Sequence, residues 1–175
     1  MLLIARRGWL GWLIRRVTRS PYSHVALVDR TAAGIWLTVE AADLDGVGAK
    51  RLESYLEDAS VTGLLLRDSS ILSDQDRAEV MRAAWLRVGA GYDTLQLVGM
   101  YARRRMPWMF GGRARALAGN RLDSARRLIC SELVTVAYQQ GAGFALAPPG
   151  VGAGMVDPGH LARTARLVDL WRWGG

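Results

Sequence analysis

Three side chains of this 175-residue chain have types and settings that can do chemistry together. Cys130, the only cysteine, stands in LICSELV, just ahead of a helix-like run that includes Leu133, Val134, Ala137 and Tyr138. A cysteine at a helix N-terminus meets unpaired backbone N–H groups and the positive end of the helix dipole, and both favour the thiolate. The same N–H groups can hold a developing oxyanion. His24 stands in SPYSHVALV, after a turn and at the head of an apolar, β-branched run, where a strand would hold its ring rigidly as a base. Glu40 closes the next such run, IWLTVE. A carboxylate beside an imidazole fixes its tautomer and stabilises its cation. Each residue also has a plainer reading: an inert buried thiol, a strand-edge histidine satisfied by backbone, and a solvated strand-end glutamate. Together they are the parts of an activated cysteine nucleophile. His160, in DPGHLART, is the alternative base, but it follows Cys130 closely, across a Gly/Pro-rich stretch.

The elements that must position these groups follow from periodicity. Leu2 to Ala5 reads as a short buried strand. Trp9 to Val17 has apolar residues at helical spacing, with Arg15 and Arg16 on the other face. Trp9 and Trp12 with Arg15, Arg16 and Arg19 can also rest on a membrane surface, but core packing is the expectation. Ser20-Pro21 breaks that helix. His24 to Asp29 and Ile35 to Glu40 read as strands joined by the loop Thr31 to Gly34. In such a hairpin the end of the second strand returns beside the start of the first, which makes His24 and Glu40 neighbours. Leu52 to Asp58 reads as a short helix and Val61 to Leu66 as a further strand. A helix from Ser73 to about Val88 is ended by Gly89 and Gly91, and a second helix runs from Asp93 to Arg105. Residues 106–122 read as loop, Ile129 to Gln140 as a helix ended by Gly141, and Arg166 to Trp173 as a last strand, with Trp171 and Trp173 in the core or on a sheet face. The expectation is one α+β domain over residues 1–175, an antiparallel sheet packed against helices with the nucleophile at a helix N-terminus.

The segments RRVTRSPYSHVALV, TVEAADLDGVG, LICSELVTVAY and VDPGHLART, in that order, resemble the permuted papain-like amidases, the YiiX-like branch of the superfamily that includes the NlpC cell-wall peptidases. Gly91-Tyr92-Asp93 matches an element that such proteins carry before the nucleophile helix. The resemblance implies a circularly permuted papain-like fold in which His precedes Cys. By it, Cys130 is the nucleophile, His24 the general base and Glu40 the residue orienting the base. The Cys130 backbone N–H is the default oxyanion donor, with Tyr22, Ser23 and Ser131 as candidate oxyanion or substrate contacts. The implied activity is cleavage of an amide bond through an acyl-enzyme, on peptidoglycan-type peptides or acylated lipids, without a cofactor or metal. The same site in an acyltransferase or thioesterase, as in the related lecithin:retinol acyltransferase, is the alternative, and a non-catalytic membrane- or partner-binding module on this fold is another. Relatives usually carry a Gly-Asp ahead of the first strand, and many have a leader before it. This chain opens at Met1-Leu2-Leu3, which gives the expectation of a trimmed or unexported member and a cytoplasmic location.

Composition narrows the classes. Half the residues are hydrophobic and 22% are charged, as in a globular protein. No apolar run approaches the roughly 20 residues of a membrane-spanning helix. One cysteine excludes an internal disulfide framework. The net charge of +7 is uneven: residues 1–30 sum to +5, 31–100 to −5 and 101–127 to +7. Arg103, Arg104 and Arg105 precede Trp108 and can rest on an anionic membrane surface or form a lip of the cleft. No zinc-finger spacing, aromatic RNA-binding motif or phosphate loop accompanies the charge, so no nucleic-acid partner is expected.

Overall fold

In the computed structural model, residues 1–42, 45–93 and 127–174 are described. The Asp93 to Arg105 helix, the 106–122 loop and the Arg103–Trp108 membrane contact expected from sequence fall almost wholly outside them.

Six strands form an antiparallel sheet. In chain order they are β1 (Leu2–Arg6), β2 (His24–Arg30), β3 (Trp36–Ala42), β4 (Gly46–Arg51), β5 (Val61–Asp68) and β8 (Val168–Gly174), and their order in the sheet is β4-β3-β2-β1-β5-β8. Two short strands, β6 (Gly91–Tyr92) and β7 (Arg127–Leu128), pair in parallel apart from it. The helices among the described residues are α1 (Trp9–Thr18), α2 (Ser54–Glu57), α3 (Asp74–Trp85), α4 (Cys130–Ala142) and α5 (Pro158–Arg163), with one 3₁₀ turn at Ala153–Met155.

Alternation along the strands divides the interior. Leu3, Val25, Leu27, Val39, Ala41 and Leu65 face the main core with α3 and α4. Leu2, Ile4, Ala26 and Leu64 face the other way, toward Tyr55 of α2. His24 pairs with Ile4 across β1–β2, and Leu27 pairs with Val39 across β2–β3. Side chains directly opposite share a face, so His24, Ala26 and Glu40 all lie on the Tyr55 side of the sheet.

Several expected elements differ in detail. β4, with glycines at 46 and 48, has no strand signal in its composition; it forms because β3 offers it a full edge, with Glu40 opposite Gly48. α3 begins at a capping box, in which the Ser73 hydroxyl accepts from the Asp76 N–H and the Asp76 carboxylate accepts from the Ser73 N–H. It ends at Trp85, earlier than the expected Val88. Gly141 does not end α4. It lies inside the helix, where an added Cβ would stand 2.4 Å from the Val80 backbone nitrogen. It is therefore the point where α3 and α4 touch backbone to backbone. The helix stops at Gly143, which takes the left-handed conformation with φ 61° and sends its N–H back to the Gln139 carbonyl.

One tryptophan expectation is corrected, and for the other pair the sheet-face outcome holds. Trp9 and Trp12 are not core residues: they are 76% and 59% exposed, because α1 buries its other face through Gly11, Ile14 and Thr18. Trp171 and Trp173 lie on one face of the edge strand β8, opposite Leu66 and Leu64, and remain partly exposed. No helix among the described residues is long and apolar enough to cross a membrane.

Candidate functional site

Cys130 is the first residue of α4. Its N-cap, Ile129, is extended and offers no side-chain cap, and the first amide to find an intrahelical acceptor is that of Leu133. The Cys130 and Ser131 N–H groups thus have no acceptor within the helix, at its positive end. The short β6–β7 pair fixes the approach to this turn, since Leu128 pairs with Tyr92 and its carbonyl accepts the Asp93 N–H at 3.3 Å.

His24 opens β2, where pairing with Ile4 of β1 holds its backbone. The Cys130 sulfur lies against its ring and raises its pKa both by charge and by hydrogen bonding. On the other side, His24 Nε2 hydrogen-bonds Glu40 Oε2. That leaves Nδ1 as the ring nitrogen for the sulfur. Burial disfavours the imidazolium, but Cys130 and then Glu40 outweigh it, and the pKa is pushed up from 6.5 to about 10.

Glu40 is almost fully buried and has a partner for each oxygen. Oε2 accepts from the Tyr55 hydroxyl as well as facing His24, and Oε1 pairs with Lys50 Nζ at 3.0 Å. Burial alone would raise its pKa; His24, Tyr55 and Lys50 reverse that and hold it down at about 2. Burial raises the pKa of Tyr55, and the Glu40 charge raises it further, so its phenol stays a donor. Lys50 Nζ also sits 3.8 Å from the centre of the Tyr55 ring. Sequence reasoning missed Tyr55 and Lys50. The signal for Lys50 lay in strand parity, because it pairs with Thr38, two residues from Glu40 on the same face, but that needs β4 to be recognised as a strand. Tyr55 reaches Glu40 through a turn of tertiary packing that no local pattern encodes.

Cys130, Ser131, His24 and Ser23 line a cavity of about 200 Å³, together with Arg6, Arg7 and the first turn of α1. Tyr92 also lines it. A second hollow, against Thr135, Gln139 and Pro148, has no ionisable residue in its lining and takes no part in this chemistry.

The remaining sequence candidates fall as follows. Ser23 borders the cavity, and its hydroxyl accepts the Arg6 N–H at 3.2 Å, tying β1 to the start of β2. The Ser131 hydroxyl is committed to the Val156 carbonyl at 2.5 Å, so what Ser131 offers the cavity is its backbone N–H. Tyr22 is not brought to the cavity. It is buried in the main core, with its pKa raised by that burial and by Asp169 and lowered by Arg172 and Arg67. His160 caps α5 instead of facing the thiol: its Nδ1 lies 3.1 Å from Asp157 Oδ2 and its N–H donates to Asp157 Oδ1 at 2.9 Å.

No family model matches the chain, and no curated protein matches it. Among solved structures, the metalloprotein YiiX from Escherichia coli O157:H7 is similar, with a TM-score of 0.70 at 15% sequence identity over 99% of this chain and 96% of that one. In this chain, among the described residues, no group of three or more His, Cys, Asp or Glu side chains is arranged to hold a metal ion. At that identity the likeness is one of architecture, and the chain has a YiiX-like α+β fold with an antiparallel six-stranded sheet.

Proposed function

We propose that the chain is a cysteine-dependent hydrolase of amide or ester bonds, a permuted papain-like enzyme in which Cys130 is the nucleophile, His24 the general acid–base and Glu40 the residue that orients and charges His24. The observation that carries this reading is that Cys130 and His24 line one cavity while the other side of the His24 ring hydrogen-bonds the buried Glu40.

The steps follow from the parts. The thiol proton passes to His24, and the sulfur attacks the substrate carbonyl carbon. The carbonyl electrons move to oxygen, where the Cys130 and Ser131 amides can donate to them. The tetrahedral adduct collapses, and His24 gives its proton to the departing amine or alcohol. Water enters, His24 takes its proton, and the hydroxide oxygen attacks the thioester. The acid leaves, and the sulfur regains its place beside the imidazolium. An alcohol or amine occupying the water's position receives the acyl group instead, which makes acyltransfer the same chemistry with another acceptor. Peptide amides and acylated lipids both present the carbonyl this site requires.

A p-nitrophenyl ester tests the reading. It predicts a rapid burst of about one equivalent of nitrophenol, an acyl adduct on Cys130 by mass spectrometry, and loss of both in Cys130→Ala. An adduct on another residue, or hydrolysis unchanged in Cys130→Ala, contradicts it.

A further inference from the structure

The outer face of α1 has no partner within the described chain. Trp9, Trp12 and Arg16 follow one another at helical spacings of three and four and form one exposed stripe, with Arg19 exposed just past the helix end. The inner face is fully used, through Gly11, Ile14 and Thr18, with Leu10 and Val17 packed toward Ile129. Two indole rings at 76% and 59% exposure are a large apolar surface to leave in water. The charge on this helix and the segments flanking it has one sign. No acidic residue occurs before Asp29, and among the described residues no carboxylate pairs with Arg7, Arg15, Arg16 or Arg19. The edge strand β8 also exposes two tryptophans, but Asp169 lies on that strand and ties up Arg67 and Arg172, so that surface lacks the same uncompensated charge.

We infer that this face of α1 docks on an anionic lipid bilayer, with the indoles at the headgroup level and the arginines on lipid phosphates. Trp9 belongs both to the stripe and to the wall of the Cys130 cavity, so docking brings that wall of the cavity to the membrane. That acyl groups are then drawn from the bilayer rests on the hydrolase reading; the docking itself does not.

The test is co-sedimentation of the full chain with phosphatidylcholine vesicles, with and without about a quarter of phosphatidylglycerol. Binding to the anionic vesicles is expected to exceed that to neutral ones by about tenfold, and to weaken steeply in about 0.5 M NaCl. Trp12→Ala and Arg16→Glu/Arg19→Glu are each expected to lower it about fivefold or more, with unchanged thermal unfolding and unchanged alkylation of Cys130 by iodoacetamide. Trp171→Ala and Cys130→Ala are expected to bind as the wild type does. Equal binding to both vesicle types, variants that bind normally, or a Trp12-dependent dimer in light scattering without vesicle binding would each overturn the inference. Failure of the hydrolase reading would show instead in the Cys130 adduct, with vesicle binding intact.

Discussion

Tyr55 donates its hydroxyl proton to the same Glu40 oxygen that faces His24 Nε2. One buried carboxylate oxygen therefore serves the ring that meets the sulfur and the phenol that anchors the carboxylate. Tyr55 is fully buried, so Tyr55→Phe deletes the bond with little change of shape. The expected cost is about 1.5–3 kcal/mol of folding stability, the usual worth of a hydrogen bond to a charged group, read by urea unfolding. Nitrophenyl-ester turnover should fall less than in Glu40→Gln, where the charge itself is lost.

Glu40→Gln keeps the shape of the side chain and removes the negative charge that helps hold the proton on His24. The His24 pKa, pushed up to about 10 in the native protein, is expected to fall in the variant, measured by NMR titration of the ring. An unchanged titration would mean that Glu40 does not support the imidazolium.

His24 and Glu40 make stability depend on pH in opposite directions. His24 binds its proton more tightly folded than at its ordinary 6.5, so its contribution is complete below 6.5 and is lost as pH rises toward 10. Glu40 is more acidic folded than its ordinary 4.5, so its contribution is complete above 4.5 and is lost as pH falls toward 2. Both are complete only between about 4.5 and 6.5, and the thermal midpoint of unfolding should be highest there. His24→Gln should flatten the alkaline decline and leave the acid one largely in place.

The contact of α3 with α4 makes a prediction away from the site. Gly141→Ala forces its new methyl against the Val80 backbone, which has no flexible end to move aside. A loss of about 1–3 kcal/mol is expected, larger than the cost of Gly143→Ala, where only the left-handed backbone is strained. Urea unfolding of the two variants compares them directly.

Much of this arrangement is legible in the sequence alone. Strand periodicity found β2 and β3, and hairpin geometry alone put His24 near Glu40. The helix-like run after Cys130 gave its place at an N-terminus. What was not legible depended on contacts distant in sequence. β4 has glycines where strands usually carry β-branched residues, and it exists because β3 needed an edge partner; without β4, Lys50 had no reason to point at Glu40. Gly141 looks in sequence like a helix stop, and only the approach of α3 shows it to be a packing residue. The tryptophans of α1 sit at apolar helical spacing, which cannot say which of two apolar stripes faces the core.

The central claim is that His24 activates the Cys130 sulfur as a nucleophile. Iodoacetamide alkylation at about pH 6 measures this most directly, since an ordinary thiol of pKa ~8.5 is there less than about 1% thiolate. Fast, selective labelling of Cys130 that slows about a hundredfold in His24→Ala is the expected result. Labelling at the same slow rate in both proteins would contradict the account.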